Sequence, residues 1–286
     1  MKNAQAKKNR IISILLVAAL LAGLSLLLYP FVSDTWNSLH QSRAIAGYRE
    51  AVEKLDDGAY ERWWKAAQEY NAALPRDQTR FHPDGEEEAV YDGLLDVSGK
   101  GILGYVEIPR IGVSLPIYHG TDEEVLQIAL GHVEGSSLPV GGSGAHCVIS
   151  GHRGLPSARL FTNLDQLTEG DLFMLRVLDE TLTYEVDQIR IVEPDDLSFL
   201  ELEEGEDLCT LMTCTPYGVN SHRLLVRGRR VENGEAAAVR VTADAMLVDP
   251  RLAAPVLAAP AILVLLAGAL RRSLRKQGRH RKGMNG

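Results

Sequence analysis

Three side chains in this sequence are of the types that carry out nucleophilic acyl transfer: Cys214, His152 and Arg223. A thiolate is a strong nucleophile, and cationic neighbours favour its formation. An imidazole can give a proton to a leaving amine. A guanidinium is always charged and donates hydrogen bonds in a fixed fork, which suits a carbonyl oxygen that becomes an oxyanion. By type the three form a coherent site, although by spacing alone each also fits an ordinary structural role.

The three cysteines of the chain differ in their sequence surroundings. Cys147 and Cys209 stand within apolar strings, where a lone cysteine is most often a small buried hydrophobe. Cys214 instead ends the strand-like string at 208–213 and precedes a turn, TPYG, at 215–218. Because substrate can reach a cysteine at the edge between a strand and a turn, Cys214 is the candidate nucleophile.

His152 and two arginines also have alternative interpretations. His152 follows an apolar string and begins a glycine-flanked loop, GHRG, where a histidine is often simply solvated. Arg223 and Arg227 come nine and thirteen residues after Cys214, a spacing that allows the arginine strand to form a hairpin beside the cysteine strand. Arg227 fits an exposed basic strand face as well.

From about residue 101 onward, the sequence has the pattern of short strands, and these strands must position the three side chains. Leu182, Tyr184 and Val186 alternate with polar residues, which is the period of a half-buried strand. One helix is predicted at 122–131. Many short strands at close spacing favour a β-barrel or a sandwich. Further strands are predicted at 103–108, 112–118, 146–151, 172–177, 188–193, 208–213 and 222–228.

The region before the strands is predicted to be helical and then to become a loop. In residues 33–74, apolar side chains recur at three- and four-residue steps, with a break near 56–58. This pattern fits a two-helix arm packed on a larger domain, and it fits a spacer between a membrane and that domain equally well. Residues 75–90 are polar and contain two prolines and a glycine, so we expect a loop whose length is typical of functional loops.

Two uncharged segments, 11–29 and 252–270, are long enough to cross a membrane as helices. Basic residues precede the first and follow the second, which favours the cytoplasmic side for both ends of the chain and the outer side for residues 30–251. The alternative for the first segment is a cleaved signal peptide, but its apolar stretch is long and no clean A-x-A site follows. For the second segment, the basic end that follows it disfavours a GPI-type tail.

Composition and charge exclude several classes of protein. The chain has 286 residues, of which 45% are apolar, so it is not a disordered or low-complexity protein. Residues 1–10 and 271–286 carry basic residues and no acidic ones, which leaves a net charge of −19 between them. Because the region between the two basic ends is strongly acidic, it repels the phosphate backbone of nucleic acids, and no nucleic-acid partner is expected. Three cysteines without a CxxC pair exclude a full disulfide framework and a CxxC-type zinc or dithiol centre.

The strings around the candidate residues resemble those of the sortases, the cysteine transpeptidases of Gram-positive cell surfaces. TLMTC at 210–214 matches their TLxTC signature. The longer strings at 116–142, 146–171 and 208–230 are similar to the class C sortases, which assemble pili. The resemblance covers roughly residues 91–230. Two membrane segments with a helical arm also fit class C better than the singly anchored housekeeping enzymes.

The resemblance implies a fold and a set of roles. The fold is mainly β: a closed eight-stranded sortase-type β-barrel with short helices, an N-terminal helical arm and two transmembrane helices. Cys214 would be the nucleophile, His152 the general acid/base and Arg223 the residue that stabilises the oxyanion. Arg223 matches the family position because it directly follows His222, whereas Arg227 does not match it. No metal and no organic cofactor is expected for this chemistry.

One departure from the class C pattern concerns the lid before the barrel. Class C sortases usually carry there an Asp-Pro-aromatic triplet that covers the cysteine. The stretch RDQTRFHPDG has Phe81 and Pro83 in another order and lacks the triplet. Residues 75–90 are therefore described as lid-like, and no lid residue is assigned.

The function expected from the resemblance is transpeptidation. The enzyme would cleave an LPxTG-like sorting signal after Thr and join the acyl group to a lysine amine of a pilin subunit, at the membrane. Three alternatives remain open. The first is a sortase that anchors proteins to the cell wall through a peptidoglycan amine, and the second is a cysteine peptidase with water as acceptor. The third is a non-catalytic, membrane-tethered domain that binds surface proteins.

The predicted organisation places the catalytic domain outside the cell and both termini in the cytoplasm. The N-terminal part is expected to hold a basic tail (1–10), a transmembrane helix (11–29), the helical arm (33–74) and the lid-like loop (75–90). The catalytic barrel (91–231) follows. After it we expect a connector (232–251), a second transmembrane helix (252–270) and a second basic tail (271–286).

Overall fold

The computed structural model describes residues 2–76 and 78–234. Within them the chain forms two compact units, one with residues 2–33 and one with residues 34–234. The predicted second transmembrane helix at 252–270 and the tail that follows it lie outside the described residues. So does most of the predicted connector.

The first helix, α1 (Lys2–Glu53), contains the apolar segment at 11–29. Its stretch from Ile11 to Glu53 has a mean hydropathy of 2.9 in its most apolar window, and none of that window is buried. Among the described residues this is the one helix that is long and apolar enough to cross a membrane, a criterion that a signal sequence near the N-terminus also meets. Pro30 lies inside α1 although proline removes a helical hydrogen bond.

The second half of α1 packs on the barrel. Asn37 donates to the backbone carbonyl of Ser157 (2.9 Å), and the buried hydroxyl of Tyr48 donates to that of Leu103 (3.0 Å). The same hydroxyl accepts from the backbone N–H of Leu178 (2.7 Å). Of the two interpretations of this region, the packed arm therefore fits the structure better than a mere spacer.

Helix α2 (Asp57–Ala73) begins at the predicted break. The carboxylate of Asp56 caps it by accepting from the backbone N–H of Ala59 (2.6 Å), which satisfies one of the unpaired donors of the first turn. Its apolar face packs on the barrel core through a buried Ala67 and partly buried aromatic side chains, namely Tyr60, Trp63, Trp64 and Tyr70.

Residues 75–90 contain more regular structure than the predicted loop. A short 3-10 helix covers Gln78–Phe81, and helix α3 covers Gly85–Asp92. Asp84 and Glu87 form a capping box at the start of α3, since the carboxylate of each accepts from the backbone N–H of the other. The expectation of a structureless loop is thus corrected for its second half.

Eight strands close into a barrel in the order β1-β2-β3-β4-β7-β8-β6-β5. This confirms the closed eight-stranded architecture. Most neighbours are antiparallel, while β2 with β3 and β4 with β7 are parallel. The strands are β1 (Ile102–Ile108), β2 (Val113–Tyr118), β3 (Leu130–His132), β4 (Ala145–Ser150), β5 (Leu172–Val177), β6 (Glu180–Val192), β7 (Asp207–Thr215) and β8 (His222–Val231).

Two predictions about the barrel need correction. The helix predicted at 122–131 is only one turn long, α4 (Glu123–Leu126), and β3 occupies the end of that range. The strands predicted at 182–187 and 188–193 are a single strand, β6, whose register with β8 shifts between Val186 and Gln188. A bulge of this kind breaks the alternation that a sequence pattern relies on.

The strands β4, β7 and β8 separate two apolar layers, because successive side chains of a strand point to opposite faces. Inside the barrel, Cys147, Cys209 and Leu211 belong to the main core. On the outer face, Val148 of β4 and Leu225 of β8 are buried in a second cluster, with Met212 of β7 packed against it. The outer face carries the candidate site.

Candidate active site

Cys214 lies one residue before the end of β7, with its thiol partly exposed. Directly across the antiparallel pair, Cys214 is opposite Arg223 of β8. By strand alternation it shares the outer face with Met212, two residues earlier. The hairpin that the sequence spacing allowed is therefore present, and it brings the thiol and the guanidinium to neighbouring positions.

His152 reaches Cys214 through the parallel pairing of β4 with β7. Ser150 is the register partner of Met212, and the pairing continues past the strand end. The N–H of Gly151 donates to the carbonyl of Met212 (3.0 Å), and the hydroxyl of Thr213 donates to the carbonyl of Gly151 (2.7 Å). Continued by one residue on each segment, this register would bring His152 next to Cys214.

Cys214 and Arg223 thus come from the adjacent strands β7 and β8, and His152 comes from the loop that directly follows their neighbour β4. The side chain of His152 is 27% exposed, so both the imidazole and the thiol can be reached from solvent. The guanidinium of Arg223 contacts the backbone carbonyl of His222 (3.4 Å). A thiol, an imidazole and a guanidinium at one barrel edge can support attack on a carbonyl, proton transfer and oxyanion stabilisation.

Arg227 is occupied by structural ion pairs instead. It lies opposite Thr210, which is four residues before Cys214 in β7. Its guanidinium donates to the carboxylate of Asp187 (3.1 and 2.8 Å) and to that of Glu203 (2.7 Å). The alternative of an exposed basic strand face is not what the structure shows, since this side chain is only 14% exposed.

Residues 78–81 lie against the outer face of the barrel that carries Cys214. Phe81 packs into the outer cluster, and the guanidinium of Arg80 donates to the carbonyl of Leu200 (2.7 Å). Gly135 allows this close approach: a Cβ at its position would lie 1.9 Å from the carbonyl oxygen of Arg80. Its φ of +81° also favours glycine.

Comparisons with known proteins identify the family of this chain. Residues 106–231 match the sortase domain family. The crystal structure of sortase C1 from Streptococcus agalactiae is 49% identical, with a TM-score of 0.65, and the match covers 67% of this chain and 100% of that one. The chain belongs to the sortase family. Sortase C of Streptococcus pneumoniae is 43% identical, with a TM-score of 0.59, over 67% of this chain and 97% of that structure.

The similar structures include several sortases C, which confirms the class C resemblance drawn from the sequence. The family match also confirms that the chain is an enzyme of the sortase type. Among curated proteins, sortase D of Bacillus subtilis (strain 168) is 34% identical over 131 residues, which are 45% of this chain. That match spans 63% of the length of the Bacillus protein.

The other two cysteines of this sortase are core residues, as their sequence surroundings predicted. Cys147 and Cys209 are register partners on β4 and β7, and both are buried. Burial raises the pKa of the Cys209 thiol. Neither side chain is accessible to a substrate, so the partly exposed Cys214 is the one thiol among the described residues that can act at the surface.

Sequence reasoning missed several side chains around the site. A carboxylate oxygen of Glu123, in α4, lies 3.9 Å from Nε2 of His152. Arg153, next to His152, forms an ion pair with Asp165. Glu123 and Asp165 reach the site only through the tertiary fold, so no local pattern points to them. The string GHRG did contain Arg153 beside the candidate histidine.

Residues 2–76 and 78–234 hold no cluster of three His, Cys, Asp or Glu side chains suited to a metal.

Proposed function

We propose that this sortase is a cysteine transpeptidase that cleaves an LPxTG-like sorting signal after Thr and joins the acyl group to a lysine amine of a pilin subunit. One observation carries the proposal: Cys214 pairs with Arg223 across β7 and β8, while the loop that carries His152 leaves β4 hydrogen-bonded to the end of β7. The sortase family match supplies the reaction class.

In the proposed first step, the Cys214 thiolate attacks the threonine carbonyl carbon. An S–C bond forms, the Thr–Gly C–N bond breaks, and His152 gives its proton to the departing glycine amine. The developing charge on the carbonyl oxygen is stabilised by Arg223, whose fixed fork of donors suits an oxyanion. The product of this step is a thioacyl enzyme.

In the proposed second step, an amine replaces the thiol. The lysine Nζ of the acceptor attacks the thioester carbon, His152 accepts its proton, and the S–C bond breaks as the isopeptide bond forms. Arg223 stabilises the same oxygen again. The Streptococcus pneumoniae relative has a structure described in connection with pilin substrate specificity, which is why a pilin lysine is the acceptor proposed here.

The proposed location is the outer surface of the cell membrane. The apolar part of α1 provides one membrane anchor at 11–29, and the barrel at 91–231 would face outward, where sorting signals arrive. We also retain the second span at 252–270 and the cytoplasmic position of both termini as proposals, since basic residues flank the two segments on that side.

We further propose that residues 75–90 cover the outer face of the barrel beside Cys214. The packing of Phe81 into the outer cluster and the bond from Arg80 to Leu200 support this role. The aromatic ring of Phe81 lies under the guanidinium of Arg80, 4.4 Å from the ring centroid, so the two side chains are fixed together. The cover would have to move before a sorting signal could bind along the outer face.

The reaction is tested with the full chain in membranes, an LPxTG-type peptide and three acceptors: a lysine peptide, a peptidoglycan-type amine and water. We expect peptide cleavage, with aminolysis by the lysine peptide, and loss of both in Cys214→Ala. Preference for the peptidoglycan-type amine would identify a cell-wall-anchoring sortase, and product from water alone a peptidase. Cleavage that survives in Cys214→Ala would refute the assignment of the nucleophile.

A separate measurement distinguishes the enzyme from a non-catalytic binding domain. A thiol-specific alkylator should modify Cys214 much faster than the buried Cys147 and Cys209, as judged by peptide mapping. Substitution of Phe81 by alanine should accelerate this modification if residues 75–90 cover the thiol. Equal and slow modification of all three cysteines would favour the non-catalytic alternative.

A further inference from the structure

The side chain of Arg153 joins the two loops that follow the proposed catalytic residues. It comes directly after His152 in the chain and is only 10% exposed. One of its terminal nitrogens contacts the hydroxyl of Thr215, the residue after Cys214 (3.4 Å), and the other forms an ion pair with Asp165. The guanidinium carbon also lies 5.9 Å from the ring centroid of Tyr217.

These contacts lie behind the site rather than in it. Because side chains alternate along a strand, Thr215 faces away from the side on which Cys214 lies. Arg153 likewise follows His152 and contacts the Thr215 side. The guanidinium therefore connects the backbones that carry the thiol and the imidazole, and it leaves the substrate side open.

The surrounding loops are closely packed at this point. The N–H of Gly154 donates to the hydroxyl of Thr162 (3.2 Å), and a Cβ at Gly154 would lie 3.0 Å from the ring of Tyr217. Gly154 also has a φ of +78°, which favours glycine. The loop after His152 is thus held directly against the loop after Cys214.

The placement of Arg153 leaves one donor of its guanidinium unsatisfied. Its Nε is buried and has no hydrogen-bond partner within the described part of the chain. A buried donor that is left unsatisfied costs roughly 1–3 kcal/mol. The contacts that this position does provide, to Thr215 and Asp165, connect the segments that carry the proposed nucleophile and acid/base.

We infer that Arg153 is a positioning residue that fixes the separation between His152 and Cys214, with Asp165 orienting its guanidinium. The inference rests on the roles proposed above for those two residues. Its chemistry depends on the fork of a guanidinium, which can hold Thr215 and Asp165 at once, whereas a lysine ammonium is a single point charge. Arg153 is not expected to touch the substrate.

The test uses the full chain and measures acyl-enzyme formation from an LPxTG-type peptide. For Arg153→Lys we expect kcat to fall by about 10–100-fold, because small displacements of reacting groups cost about that much, while KM stays near the wild-type value. Asp165→Asn should give a smaller loss of the same kind. Arg110→Lys, at an exposed arginine in the 3-10 helix Pro109–Ile111, is the matched control and should leave both constants unchanged.

A double-mutant cycle separates positioning from general stabilisation. If Asp165 acts through Arg153, the double variant should lose no more kcat than Arg153→Lys alone. Full activity in Arg153→Lys would overturn the inference, as would a raised KM with unchanged kcat or additive losses in the cycle. If Arg153→Lys fails to fold, Asp165→Asn decides, since its side chain is 45% exposed; wild-type kcat there overturns the inference.

The outcome is distinguishable from a failure of the proposed function. Should Cys214→Ala retain peptide cleavage, the assignment of the nucleophile fails whatever the arginine variants do. Should Cys214→Ala be inactive while Arg153→Lys is fully active, the nucleophile stands and only the positioning role is lost.

Discussion

Replacement of His146 should change how the stability of this sortase depends on pH. His146 lies on β4 and is buried. Its Nδ1 is 2.8 Å from the carbonyl of Glu201, which can only accept, so Nδ1 carries the proton. Its Nε2 is 2.8 Å from the hydroxyl of Thr210 and accepts from it. The neutral imidazole therefore links β4, β7 and the loop before β7 beneath the candidate site.

Burial lowers the pKa of His146 to about 4 from the ordinary 6.5, an effect that the carbonyl of Glu201 partly offsets. The unfolded chain thus takes up a proton at higher pH than the folded chain does. Stability is fully present above about pH 6.5 and is lost as the pH falls toward 4. At 1.36 kcal/mol per unit of pKa, the loss is about 2 kcal/mol at pH 5 and about 3 kcal/mol at pH 4.

The measurement is urea unfolding of the detergent-solubilised chain between about pH 7.5 and pH 4, followed by the fluorescence of Trp63 and Trp64, which pack on the barrel core. His146→Gln keeps a donor and an acceptor but cannot titrate. The difference in unfolding free energy between wild type and variant isolates this group from others, including Asp207, whose pKa is raised by burial.

We expect that difference to shrink by about 2 kcal/mol between about pH 7.5 and pH 5. His82→Gln is the matched control, because it makes the same substitution at an exposed histidine. A difference curve for His146→Gln that stays flat over this range would refute the buried, neutral imidazole.

Three other substitutions test the geometry around the site. Gly151→Ala would place a Cβ 2.4 Å from the side chain of Leu130, so acyl-enzyme formation and the melting temperature should both fall; unchanged values would contradict the packing. Gly135→Ala should displace the backbone of Arg80 and expose residues 75–90 to limited proteolysis, and an unaltered cleavage pattern would argue against that contact. Arg223→Lys should lower kcat by about 10²–10³-fold because it loses the fork, and wild-type turnover would remove this arginine from the mechanism.

One strand could be predicted from the alternation of apolar and polar residues along the sequence. The alternation at Leu182, Tyr184 and Val186 belongs to β6, where these side chains are buried. The irregular register after Val186 hid the fact that the strand continues. Strand β3 has only three residues, all buried, so it has no period to detect, and its pairing with β2 is parallel and non-local.

The helices show where local signals are strong and where they were overlooked. The break before α2 was visible because Asp56 is a good capping residue. The capping box of Asp84 and Glu87 was present in the sequence too, but prolines and charge made the whole segment resemble a loop. The continuation of α1 through Pro30 could not be predicted, since proline normally ends or kinks a helix.

The three candidate residues of the site could be predicted because each lies near the end of a predicted strand. Cys214, His152 and Arg223 each mark such an end in the sequence, and the resemblance to sortases assigned them together. The partners of these residues could not be predicted, because the contacts of Glu123 with His152 and of Asp165 with Arg153 depend on which loops the closed barrel brings together.

The most direct test of the account is mass spectrometry of the enzyme trapped with an LPxTG-type peptide. The account predicts one added acyl group that ends in threonine, attached to the peptide that contains Cys214, and a released fragment that begins with glycine. An acyl group on another residue, or cleavage at another bond, would contradict it.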